Sequence, residues 1–150
     1  MRLACLVISC LPVLGQTPGG STVTKAPGEE VSLTLLANSQ ASKAIVALKW
    51  EVLFPVQLME MESAATQIGS AAKDSGKSLQ CSARKPYTYV CTLSGGQKPI
   101  GNGPIAIFHF KIKTTAPAGT TTIRTENAVA TMVDSKEEPW NNTETTVIIR

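Results

Sequence analysis

The chain is 150 residues long and weighs 15.9 kDa, room for one domain and a short leader, which excludes a large multidomain enzyme. Hydrophobic residues make up 43% and charged residues 17%, with a mean hydropathy of +0.06, so there is apolar material for a buried core and wholesale disorder is excluded. Fourteen Lys and Arg against eleven Asp and Glu leave a formal +3, scattered from Lys25 to Arg150 rather than gathered in a stripe, and nothing in that pattern selects nucleic acid.

Met1 and Arg2 open the chain with positive charge, Leu3 to Gly15 is apolar apart from Ser9, and Gln16 to Gly20 turns polar and flexible. The segment reads as a signal peptide over 1–16, cut near Gln16, followed by a flexible linker over 17–21 and a folded domain over 22–150. Its apolar run falls short of the roughly 20 residues a membrane span needs, and no later stretch approaches that length. Val7-Ile8-Ser9-Cys10 also matches the spacing at which a lipid anchor is attached to Cys10. That reading is disfavoured, because Leu11 to Leu14 continue the apolar run past the cysteine.

From Thr22 onward, β-branched residues recur in short alternating runs divided by Gly, Pro, Asn and Ser, the pattern of half-buried antiparallel strands. Thr22 to Thr24 is a first short strand, and Ala26-Pro27-Gly28 turns the chain. Val31, Leu33 and Leu35 then alternate with Ser32 and Thr34. Leu48, Trp50, Val52 and Phe54 share one face of the next strand, opposite Lys49 and Glu51. Leu58 to Met61 opens another short element, and Thr66 to Ser78, rich in small residues, reads as a loop with one weak strand or helical turn.

Removal of the leader takes Cys5 and Cys10 with it and leaves Cys81 and Cys91, placed about Arg84-Lys85-Pro86 between the runs Leu79 to Ala83 and Tyr87 to Leu93. Across a hairpin the two cysteines come within disulfide range, and an exported chain meets conditions in which the bond persists. Two free thiols are the alternative if the chain stays in the cytosol. Asn102-Gly103-Pro104 precedes the clearest strand, in which Ala106, Phe108, Phe110 and Ile112 alternate with Ile107, His109, Lys111 and Lys113. Ala116 to Gly119 turns the chain into Thr121 to Thr125; Ala128 to Val133 and Val147 to Ile149 complete the set. The fold class is therefore all-β, a two-sheet jelly-roll sandwich of about nine antiparallel strands.

Chemistry is scarce. A Ser-His-Asp hydrolase would have to use His109, the single histidine, which alternates with lysines on an outer strand face, and no Gly-x-Ser-x-Gly turn presents a nucleophile. Glu60 and Glu62 share a strand face in the loose manner of a glycosidase pair, without an aromatic sugar platform beside them. Asp74 and Asp134 are too few and too far apart for a calcium loop, and the lone histidine and the cysteine spacing leave no zinc site. Catalytic residues, metal ligands and cofactors are thus expected to be none. Asn141-Asn142-Thr143 fits the glycosylation pattern.

The order of segments carries more information than any of these motifs. Ala26-Pro27-Gly28-Glu29-Glu30-Val31-Ser32-Leu33, then Val46 to Phe54 with Pro55 and Leu58, then Asn102 through Phe110-Lys111-Ile112-Lys113 to Ala116-Pro117-Ala118-Gly119 resembles the bacterial cohesin domain over about Thr22 to Arg150. The resemblance implies a nine-stranded jelly-roll sandwich, secreted or exposed at a bacterial surface, without catalysis. It also implies a docking role toward dockerins, the calcium-loaded repeats on polysaccharide-degrading enzymes. In that family one flat sheet face receives the dockerin; the corresponding strands here are Leu48 to Phe54, Leu79 to Ala83 and Tyr87 to Leu93. Lys49, Glu51, Arg84, Tyr87 and Tyr89 are accordingly the candidate partner-binding residues, with packing into the core as the competing role for both tyrosines. Where the family carries Tyr-Asp-Pro, this chain carries Leu53-Phe54-Pro55, an apolar residue in place of an acidic one. The same fold also serves polysaccharide-binding modules, which need a flat row of exposed aromatics; Trp50, Trp140, Tyr87 and Tyr89 are the candidates, with Trp50 expected in the core.

Overall fold

A computed structural model describes residues 20–38, 44–61, 66–85 and 87–150. The expected leader over 1–16, Cys10, most of the expected linker and Glu62 lie outside the described residues. Two of the expected linker residues, Gly20 and Ser21, belong to the first strand, which pairs with the end of the chain from Gly20↔Glu144 to Lys25↔Ile149.

The strands are β1 (Gly20–Lys25), β2 (Glu30–Ala37), β3 (Ile45–Leu53), β4 (Met59–Met61), β5 (Gln67–Ile68), β6 (Ser78–Lys85), β7 (Thr88–Ser94), β8 (Gly103–Ile112), β9 (Gly119–Met132), β10 (Glu137–Pro139) and β11 (Glu144–Ile149), with one short helix, α1 (Ser70–Asp74), between β5 and β6. They form two sheets. The larger runs β1-β11-β9-β3-β7-β6, with β10 also on β9; the smaller runs β2-β8-β4, with β5 also on β8. All pairings are antiparallel except β1 with β11. The architecture is the two-sheet all-β sandwich that the alternation predicts.

Period-2 patterning explains why these segments face each other. Val31, Leu33, Leu35 and Ala37 of β2, and Ala106, Phe108, Phe110 and Ile112 of β8, are all buried. They meet Leu48, Trp50 and Val52 of β3 and Cys91 and Leu93 of β7 in one core. Trp50 stands edge-on to Phe108 with ring centroids 6.4 Å apart, and Phe54 lies 5.0 Å from Phe110.

β9 differs from expectation: the runs 121–125 and 128–133 are one bent strand. Val129 pairs with Lys49 and Glu126 with Glu51, so two residues of β9 oppose the single Trp50. Asn127, at φ 50, takes a left-handed conformation within this bulge, one that asparagine tolerates better than most residues. The small-residue stretch is better ordered than a loop. Gly69 donates its N–H to Ile105 (2.9 Å) and lies so close to β8 that a Cβ on it would overlap the Pro104 carbonyl. Behind α1, the buried Lys77 donates to the Gly95 and Gly96 carbonyls (2.6 and 3.1 Å), tying the helix to the β7–β8 turn.

Candidate functional site

The outer face of the large sheet is built by the residues that alternation turns away from the core. On β3 these are Ala47, Lys49, Glu51 and Leu53. Register adds a cross-strand row to each. Gln80, Thr92, Lys49 and Val129 form one row across β6, β7, β3 and β9; Ser82, Val90, Glu51 and Glu126 form the next. Directly opposed residues share a face in an antiparallel ladder, so these eight side chains form one contiguous surface.

Its chemistry is mixed: β-branched Val90, Thr92 and Val129 lie among Gln80, Ser82 and the charged Lys49, Glu51 and Glu126. Glu51 accepts a hydrogen bond from Asn127 Nδ2 (3.2 Å), so the bulge that bends β9 also orients this carboxylate. Arg124 Nε and Glu126 Oε1 form an ion pair at 2.6 Å beside it. Lys49, exposed between Thr92 and Val129, has no carboxylate within ion-pair reach among the described residues. The result is a face that carries Lys49, without an ion-pair partner among the described residues, beside a carboxylate that accepts a hydrogen bond from Asn127. Val90, Thr92, Val129, Gln80 and Ser82 were not singled out from the sequence; only the register of β3 with β7 and β9, and of β7 with β6, brings them beside Lys49 and Glu51.

The structure separates the five candidate residues. Lys49 and Glu51 share the outer face as expected. Arg84 is exposed at the irregularity where the β6–β7 register shifts, between the pairs Ala83↔Tyr89 and Lys85↔Thr88. Tyr87 precedes β7 in the hairpin turn and is 49% exposed. Tyr89 is a correction: it pairs with Val52, on the inner side with Trp50 and Cys91, and stacks on Phe54 with centroids 5.9 Å apart. It packs against the core and does not join the outer surface. Phe54 itself is buried, so the apolar replacement in Leu53-Phe54-Pro55 fills the interior beneath Tyr89.

Cys81 and Cys91 are directly opposed across β6 and β7 and joined by a disulfide, Cα–Cα 4.1 Å. Cys91 is fully buried and Cys81 half-buried. The aromatics do not assemble a glycan platform: Trp50 is buried, Trp140 and Tyr89 pack against the core, and Tyr87 stands exposed in its turn.

The outer face of the small sheet carries Glu30, Lys111 and Glu60 in one cross-strand row, and Ser32 Oγ lies 3.0 Å from His109 Nδ1. The Ser32–His109 pair sits on the outer face of the small sheet, on an exposed strand surface. Among the described residues no group of three His, Cys, Asp or Glu side chains is placed to hold a metal ion, and no helix is long and apolar enough to cross a membrane.

Comparison with known proteins gives a consistent picture. The model of the cohesin domain family matches residues 20–149. No curated protein matches the sequence. Among solved structures, the chain is similar to a type I cohesin–dockerin complex from Clostridium thermocellum at a TM-score of 0.72 and 16% identity, covering 87% of this chain and 95% of that one. The sixth cohesin of scaffoldin B from Acetivibrio cellulolyticus, in complex with a dockerin, is similar at a TM-score of 0.69 and 14% identity, covering 87% and 95%. A non-cellulosomal cohesin from the archaeon Archaeoglobus fulgidus is similar at a TM-score of 0.66 and 13% identity, covering 87% and 88%. At these identities the likeness shows the fold.

Proposed function

The chain belongs to the cohesin domain family, and on that premise we propose that it is a non-catalytic docking module whose large-sheet outer face receives a folded protein partner of the dockerin class. The observation that carries this reading is the contiguous surface of four adjacent strands, β6, β7, β3 and β9, centred on Lys49 and Glu51. Val90, Thr92 and Val129 cost little conformational entropy when covered, and a central cation without an ion-pair partner among the described residues selects a partner with a carboxylate or carbonyl cluster opposite it. Solved cohesin–dockerin complexes among the similar structures support the partner class.

The working location is extracellular or on a bacterial surface, in assemblies that serve polysaccharide breakdown, with 1–16 as the export signal. The Cys81–Cys91 disulfide supports this setting, since such bonds persist in oxidising compartments. The test is capture of a panel of calcium-loaded dockerin modules by the immobilised protein, with retention on insoluble polysaccharide as the parallel assay. Dockerin capture that a calcium chelator abolishes supports the reading. Retention on polysaccharide without capture of any dockerin contradicts it and favours the glycan-binding alternative.

A further inference from the structure

The edge strand β6 is fastened differently from the rest of the docking face. It ends the large sheet, so its only ladder among the described residues is to β7. Beneath it, on the inner side, lies a cavity of about 290 Å³ lined by Met61, Thr66, Ile68, Leu79, Cys81 and Tyr89. β3 and β9 rest on close-packed, fully buried side chains such as Trp50, Leu48 and Ile123. The inward residues of β6, Leu79 and Cys81, are only half-buried. An edge strand with a gap under it belongs to the least stable part of a sandwich, and its one covalent tie to the sheet is the bond from Cys81 to Cys91.

We infer that the Cys81–Cys91 disulfide is a thiol-addressable switch on the order of β6, and through Gln80 and Ser82 on the completeness of the docking face. The second half of the inference rests on the docking reading. Access is asymmetric: Cys91 is fully buried, whereas Cys81 is half-buried and borders the cavity, which has room for a small adduct. A small thiolate therefore attacks Cys81 Sγ. The Cys81–Cys91 bond breaks, its electron pair leaves on Cys91 Sγ, and that sulfur takes a proton. A second thiol of the reductant then attacks the mixed disulfide, releasing Cys81 as a thiol and the reductant as its own disulfide. Overall, one protein disulfide gains two electrons and two protons, and two reductant thiols become one disulfide. With the tie gone, β6 keeps its backbone ladder to β7 and the partial packing of Leu79 above the cavity, and opens; reoxidation closes it.

The experiment uses the whole folded chain, oxidised or treated with dithiothreitol, and reads amide hydrogen exchange residue by residue. Reduction is expected to raise exchange over Leu79 to Ala83 relative to Ile123 to Thr125 by at least tenfold. An unchanged ratio, with all strands accelerating together or none, overturns the inference. So does a bond that resists dithiothreitol in the folded protein yet is cleaved once urea unfolds the chain. Brief treatment with 2-mercaptoethanol followed by acid quench is expected to trap the mixed disulfide on Cys81; trapping on Cys91 contradicts the proposed access. The Cys81→Ser/Cys91→Ser variant, with β9 protection as its check on folding, is expected to reproduce the reduced pattern. Dockerin capture separates the two levels: a tenfold loss on reduction supports the coupling, and equal capture by both forms overturns it. Capture by neither form removes the docking reading, while the exchange ratio independently decides whether β6 opens.

Discussion

Trp50 and Cys91 face each other directly across β3 and β7, on the buried side of the large sheet. That pairing sets the rest of the site. With Trp50 and Cys91 inside, Lys49 and Glu51 must be outside, and Cys91 is placed to reach Cys81 on the next strand. Trp50 occupies this position at a cost, since its indole Nε1–H is buried without a hydrogen-bond partner among the described residues.

Trp50→Phe removes that orphaned donor while keeping an aromatic ring against Phe108. Its destabilisation is expected to stay below about 1.5 kcal/mol, against about 3–5 kcal/mol for Trp50→Ala. Urea unfolding of both variants checks this, and equal losses would show that the indole N–H is not the burden described here.

Gly69→Ala forces a methyl group into the Pro104 carbonyl, a backbone neighbour that no rotamer change can move aside. The expected loss is about 1–3 kcal/mol, read as a lower thermal midpoint, with β8 and α1 displaced from each other. Gly101→Ala, where a Cβ meets open space, serves as the control and is expected to leave the midpoint nearly unchanged.

Burial holds the Lys77 ammonium below its ordinary value of 10.5. The folded chain gives up this proton at lower pH than the unfolded chain does. The penalty for burying the charge is therefore complete at neutral pH and disappears as pH rises through the folded value toward 10.5. Lys77→Met leaves the Gly95 and Gly96 carbonyls without this donor and is expected to cost about 1–3 kcal/mol. The gap between wild type and variant should widen from about pH 7 toward 10; a flat or narrowing gap in urea titrations contradicts the assignment.

Lys49→Glu and Tyr89→Ala separate docking from packing. The first reverses the unpaired cation at the centre of the outer face and is expected to weaken dockerin capture at least tenfold with the thermal midpoint unchanged. The second removes a ring stacked on Phe54 and is expected to lower the midpoint, by about 1–3 kcal/mol of stability, with any loss of capture following from that. Calorimetry beside thermal melts distinguishes them.

Much of this arrangement is readable from local pattern. β8 announces itself because Ala106, Phe108, Phe110 and Ile112 alternate without a break, and every one is buried. The cysteine pair is equally plain, because Arg84-Lys85-Pro86 puts the two residues near-symmetrically about a turn, and the register shift between Ala83 and Lys85 makes up the difference. Tyr89 misleads for a physical reason: Tyr87 and Tyr89 are two apart, but Tyr87 lies in the turn before β7, so the pair does not share a strand face. The continuity of β9 is hidden by Asn127, whose left-handed conformation looks like a break in the alternation. The neighbours of Lys49 are long-range facts, since Val129 reaches it only through sheet register.

The most direct measurement is the footprint of a captured dockerin on the folded protein, read as slowed amide exchange together with binding by a Val90→Arg variant. Protection over β3, β7 and the 124–131 part of β9, with capture at least tenfold weaker when Val90 becomes Arg, is the result expected of docking on the outer face of the large sheet. Protection over β2 and β8 instead, with Val90→Arg binding as the native chain does, would contradict it.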